Sequence, residues 1–166
     1  MLFRSALAGA ALAALTALPS AAATAVTPNS GWVVFNFGEV GSSFSNEPFT
    51  FTLTKAGALK VTDAFAIGDQ FEIFDFGASM GLTSTPSDDG TNAGSDYDLA
   101  YGDARWSSGM WVLGPGSYSI TGLAVLSPYG GGDGALMVSQ VPLPAAGLML
   151  MVGLAGLAGL RRKHDA

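Results

Sequence analysis

Twelve carboxylates and no thiol define the chemistry open to this chain between Val26 and Val141. Asp63, Asp69 and Asp75 recur six residues apart, while Asp88, Asp89, Asp96, Asp98 and Asp103 crowd the stretch from Pro86 to Ala104. Carboxylates and amide carbonyls are hard oxygen donors, and calcium gathers about six to eight of them, so these five aspartates are candidate calcium ligands. Their spacing matches no known loop. Asp96-Tyr97-Asp98 begins as a calcium loop does, but the glycine and distal glutamate of an EF-hand are not in place. The run Gly130-Gly131-Gly132-Asp133-Gly134 is a single copy of a calcium repeat that works only when stacked. The competing reading makes the loop a solvated surface and the aspartates acceptors for turn N–H groups, a role that Asp75 ahead of Phe76-Gly77 fits best.

Catalysis has few residues to draw on. There is no cysteine, and the single histidine, His164, lies in a basic tail outside this region. That removes the thiolate nucleophile and the commonest general base. A carboxylate pair across a pocket is the remaining route, which makes a hydrolase the third-ranked function. Ser107-Ser108-Gly109 is not a nucleophile elbow and has no triad histidine downstream within the same region. No cofactor is implied.

Aromatic side chains offer a second chemistry, because their faces stack on the apolar faces of sugars. Tyr97, Tyr101 and Trp106 flank the acidic loop and are the candidate glycan platform; Trp32 and Trp111 lie in β-type runs and are expected in the core. Only three cations (Lys55, Lys60, Arg105) face the twelve acids, a net charge of −9. Nucleic acid is thereby disfavoured as a partner, since phosphate binding requires a cationic surface.

The elements that must position these residues read as strands. Phe49-Thr50-Phe51-Thr52-Leu53 alternates apolar residues and threonine with period two, as a strand with one buried face requires. Trp32 to Phe37, Ala58 to Phe65, Gln70 to Phe76, Met80 to Ser84, Met110 to Leu113, Ser117 to Leu126 and Ala135 to Ser139 complete the set, separated by Gly, Ser, Asn, Asp and Pro. Phe71, Ile73 and Asp75 share one face of Gln70 to Phe76, and Glu72, Phe74 and Phe76 the other, so burial on both sides is expected there. Helical periodicity is absent, and Pro86 to Ala104 reads as one long loop. About eight short strands with such turns predict an all-β fold, an antiparallel β-sandwich of jelly-roll type spanning residues 26–140.

Both ends read as addresses. Residues 1–25 combine Arg4, an apolar stretch from Ala6 to Leu18 and small residues at Ala23 and Ala25, which predicts a signal helix cut before Val26 by signal peptidase. Residues 141–166 begin with Val141, Pro142, Leu143, Pro144 and Ala145, continue apolar to Leu160 and stop at Arg161, Arg162 and Lys163. A helix over 141–160 is about 30 Å long, enough to cross a bilayer core. The positive-inside rule then leaves the basic tail in the cytoplasm and the sandwich outside it.

Val61-Thr62-Asp63-Ala64-Phe65, Gly68-Asp69-Gln70-Phe71, Leu82-Thr83-Ser84, Gly116-Ser117-Tyr118-Ser119-Ile120-Thr121 and Ser127-Pro128 resemble a recurrent domain of exported bacterial proteins with PEP-CTERM-type tails. Val141 to Ala145 is similar to the VPLPA-CTERM variant of that sorting signal. The resemblance implies an exosortase-type membrane protease as processing partner and a membrane-anchored stage before the cell surface or extracellular matrix. It brings no assigned chemistry for the domain. The function expected is therefore a non-enzymatic exported protein with a structural or adhesive role; the alternative is a surface module binding extracellular polysaccharide or calcium. Intact-mass analysis of the exported protein should find Val26 at the N-terminus and no Arg161 to Ala166. Retention of either segment contradicts the processing expected.

Overall fold

The computed structural model describes residues 22–140. The expected signal helix and the whole sorting segment, with its membrane helix, lie outside the described residues, apart from the last residues before the expected signal cut. Within them the chain forms nine strands and one short helix. These are β1 (Thr24–Ala25), β2 (Val33–Phe37), β3 (Phe49–Leu53), β4 (Gly57–Asp63), β5 (Gln70–Asp75), β6 (Ala78–Leu82), α1 (Tyr97–Gly102), β7 (Ser108–Leu113), β8 (Gly116–Leu126) and β9 (Gly132–Gln140). One sheet has the order β1-β3-β8-β5-β6 and the other β2-β9-β4-β7. Every pairing is antiparallel except β1 on β3. From β2 onward the chain passes back and forth between the sheets, staying in one sheet only for the β5–β6 hairpin. That winding is a jelly-roll sandwich, the fold predicted.

Period-two alternation sends one set of side chains from each sheet into the gap. Phe49, Phe51 and Leu53 of β3 are buried while Thr52 between them is exposed. Phe35 and Phe37 of β2, Leu59 and Val61 of β4, Phe71 and Ile73 of β5, Ile120 of β8 and Leu136 and Val138 of β9 meet them. Phe44, from the β2–β3 connection, stacks on Phe35 with ring centroids 3.8 Å apart, and Phe71 stands edge-on to Phe35, Phe37 and Phe44. Edge-to-face and stacked pairs add roughly 0.5–1.5 kcal/mol each beyond the area they bury.

Two glycines make room for this cluster. A Cβ on Gly134 would stand 2.5 Å from Phe35 Cζ, and one on Gly122 would overlap the Phe44 ring. Neither residue has a positive φ, so the requirement is for space and not for backbone freedom.

Several expectations need correction. Pro86 to Ala104 is not one long loop, because Tyr97–Gly102 is helical, and it folds over a second small core of Ile67, Ala100 and Trp106. Strand β5 is buried on one face only: Phe74 is half-buried, and Phe76 beyond its end is 71% exposed. Trp111 is half-buried against the edge of the core, and Trp32, also half-buried, packs on Tyr97 and Tyr101 of α1.

Gly122→Ala and Gly134→Ala should each lower stability by about 1–3 kcal/mol, the range for overpacking a closed core. A reduced midpoint in urea unfolding with unchanged slope is the expected reading.

Candidate functional site

The strand registers bring three connections to one end of the sandwich. Gln70 of β5 pairs with Leu126 of β8, and Asp63 of β4 pairs with Gly134 of β9. The β4–β5 crossing therefore runs beside the β8–β9 crossing. Thr62 pairs with Ser108 at the start of β7, so the segment carrying α1 arrives at the same end. Pieces of the resemblance that are far apart in sequence converge there: Asp63, Gly68-Asp69, and Ser127-Pro128 with the glycines that follow. Gly68 is required by this contact, since a Cβ on it would lie 2.7 Å from Pro128 Cγ.

Asp63 and Asp69 meet in the interior at this junction. Asp63 is fully buried; its Oδ1 accepts the Ala64 N–H at 2.7 Å and its Oδ2 the Asp69 N–H at 3.2 Å. Asp69 is 3% exposed, gives its backbone N–H to the Asp63 carboxylate, and leaves its own Oδ1 without a hydrogen-bond partner. Burial, and then the charge of Asp69, pushes the Asp63 carboxyl up from 3.8 to about 8, against the opposing pull of the backbone N–H groups. Burial raises Asp69 as well. Asp75, third in the spaced series, is not part of this pair; it lies at the far end of β5, pairs with Ile120 of β8, and its Oδ1 accepts the Ser119 N–H at 2.9 Å.

The five aspartates of the acidic stretch each hold a separate structural contact. Asp88 accepts the Tyr129 hydroxyl, and Asp89 accepts the Thr91 N–H and hydroxyl. Asp96 caps α1 by accepting the Leu99 N–H at 2.9 Å, and Asp98 accepts the Trp32 indole N–H at 2.9 Å. Asp103 takes three hydrogen bonds from the Arg105 guanidinium, two of them from Nε, and one from its backbone N–H, and Arg105 also reaches Asp89. Hydrogen bonds from Thr91 lower the Asp89 carboxyl, and those from Arg105 lower Asp103. Among the described residues no three His, Cys, Asp or Glu side chains come together as a metal-binding group.

The expected glycan platform is only half assembled. Trp106 is fully buried in the second core, so it offers no face to a sugar; apolar partners from Ile67 and α1 outweigh the polar sequence around it. Tyr97 and Tyr101 remain half-exposed on α1, and the side chain that joins them is Trp32, with ring centroids 6.3 and 5.6 Å away. Lys60, on the outer face of β4, places its ammonium 4.8 Å from the Tyr101 ring centroid. Sequence reading missed Trp32 and Lys60, whose roles depend on α1 lying over β4. A separate shallow depression of about 460 Å³ on the other sheet is lined by Thr50, Thr52, Ser117 and Ser119, with Phe76 beside them. Of the predicted signal-cleavage residues, Ala23 and Ala25 are exposed and Val26 is buried, with Thr24–Ala25 paired to β3.

The acid pair sets a pH dependence with a definite sign. Between about pH 3.8 and 8 the folded chain keeps a proton that the unfolded chain releases, so stability is greatest at the acid end of that window and falls as pH rises through it. In EDTA, the melting temperature should decline from about pH 5 to pH 8 and level off above. Asp69→Asn, which removes one charge and keeps the shape, should flatten the slope.

No family model matches the chain, and no curated protein matches it. Among solved structures it is similar to the pre-peptidase C-terminal domain of a collagenase from Bacillus anthracis, at 11% identity over 74% of this chain and 100% of that one, with a TM-score of 0.41. It is also similar to the C-terminal CBM6 of a marine laminarinase from Zobellia galactanivorans, at 17% identity over 63% and 79% of the two chains, with a TM-score of 0.37.

Proposed function

We propose that this chain is a non-enzymatic exported module, delivered through a VPLPA-type sorting signal to the cell envelope or extracellular matrix, where its role is structural or adhesive. One observation carries the reading: the acidic residues best placed for chemistry are used in building the fold. Asp89 and Asp103 are tied to Arg105, Asp96 caps α1, Asp98 holds Trp32, and Asp88 holds Tyr129. Such a surface supports contact better than turnover.

A second reading, a carbohydrate-binding module, is favoured by the Trp32, Tyr97, Tyr101 and Lys60 cluster, where aromatic faces and a cation are held by backbone and by Asp98. Cell fractionation and a glycan array on the exported protein separate the two. The leading reading expects the protein in the envelope or matrix fraction, with no turnover across a broad hydrolase panel. Under the second, a glycan signal should fall about tenfold, or about 1.4 kcal/mol, in Trp32→Ala and Tyr101→Ala. Turnover abolished by replacing a carboxylate contradicts both.

A further inference from the structure

Asp63 and Asp69 pose a charge problem that the protein's own cations leave unsolved. Of the three cations between residues 22 and 140, Arg105 is engaged by Asp89 and Asp103, and Lys60 lies over Tyr101. Lys55 precedes β4, at the end opposite Asp63. Among the described residues the two ion pairs of Arg105 are the only ones, so no described cation neutralises the buried pair. Two adjacent carboxylates in a low-dielectric interior require a proton or a bound cation.

The unused acceptor decides what the site is equipped for. Asp69 Oδ1 is buried and receives no donor, although a buried polar atom left without a partner is destabilising. Each Asp63 oxygen accepts one N–H and retains a lone pair. Ser127 stands opposite Asp69 by the pairing of Gln70 with Leu126, and its hydroxyl oxygen accepts the Gly131 N–H at 2.8 Å. Gly132 lies beside Asp69 Oδ2, where a Cβ would come within 3.5 Å of it. All of these donors are oxygens, the set that hard cations prefer over softer metals.

We propose that Asp63 and Asp69 form a buried site for a hard divalent cation, calcium by ligand type, at the junction of the β4–β5 crossing with the β8–β9 crossing. Backbone carbonyls and water supply the rest of the coordination shell, as is usual for calcium. The site is distinct from the acidic stretch, whose carboxylates are already engaged. Its role is structural and does not depend on the adhesive or carbohydrate reading above.

The test uses the exported protein, stripped with EDTA and titrated with calcium chloride by calorimetry and thermal melting at about pH 8 and pH 5.5. One-site binding and a raised melting temperature are expected at pH 8. At pH 5.5 the affinity should be at least about tenfold weaker, because protons compete for the same oxygens. Asp69→Asn should lose both effects while remaining folded by circular dichroism. The double variant Asp96→Asn, Asp98→Asn, in the acidic stretch, should keep them. No heat and no melting shift in the unaltered protein at pH 8 with millimolar calcium overturns the inference and leaves a proton as the neutralising partner. Binding that survives Asp69→Asn overturns the location.

Discussion

The phenylalanine cluster between the sheets is the constraint on which the rest of the molecule depends. Phe35 belongs to one sheet and Phe71 to the other, and Phe44 enters from a connection to stack on the first and meet the second edge-on. Rings of that size fit only because Gly122 and Gly134 present bare backbone to them. The cluster thereby fixes both the spacing of the sheets and the faces that β8 and β9 turn inward. A strand slipped by one residue would carry a side chain into the rings and turn its apolar set to solvent.

With the registers fixed, the crossings at one end have no freedom over which neighbours they meet. Asp69 precedes the residue paired with Leu126, so it arrives opposite Ser127; Asp63 closes β4 beside the start of β9. The acid pair is thus a consequence of how the two sheets are joined. Its first service is local: Asp63 gathers the N–H groups of Ala64 and Asp69 and organises the crossing. Its cost is electrostatic, since among the described residues no guanidinium or ammonium pairs with it. Evolution of a purely structural cap would need only one carboxylate there, and the second is what points beyond a cap.

Strand content was legible because alternation in half-buried strands is written directly in residue type. Phe49 to Leu53 matches β3 residue for residue, and the jelly-roll class follows from the number and spacing of such runs. Helix α1 was not legible: six residues give less than two turns, too few for an apolar period to declare itself. Trp106 was misplaced for a related reason, since its partners Ile67 and Ala100 are distant in sequence and its neighbours are polar. Even spacing suggested that Asp63, Asp69 and Asp75 act together, yet only two of them do. Distance along a chain that crosses between sheets does not predict distance in space, and Asp75 was carried by β5 to Ser119 instead. Trp32, expected in the core, proved to be the residue that joins Tyr97 and Tyr101, a role visible only once α1 is placed.

The central claim is that an acid pair lies in the interior without a cation from among the described residues. It is tested most directly by following the carboxyl carbons of Asp63 and Asp69 by NMR from acid to alkaline pH in EDTA. The account predicts a carboxyl that keeps its proton until about pH 8, far above the ordinary 3.8. Two carboxyls that both titrate near the ordinary value would contradict it.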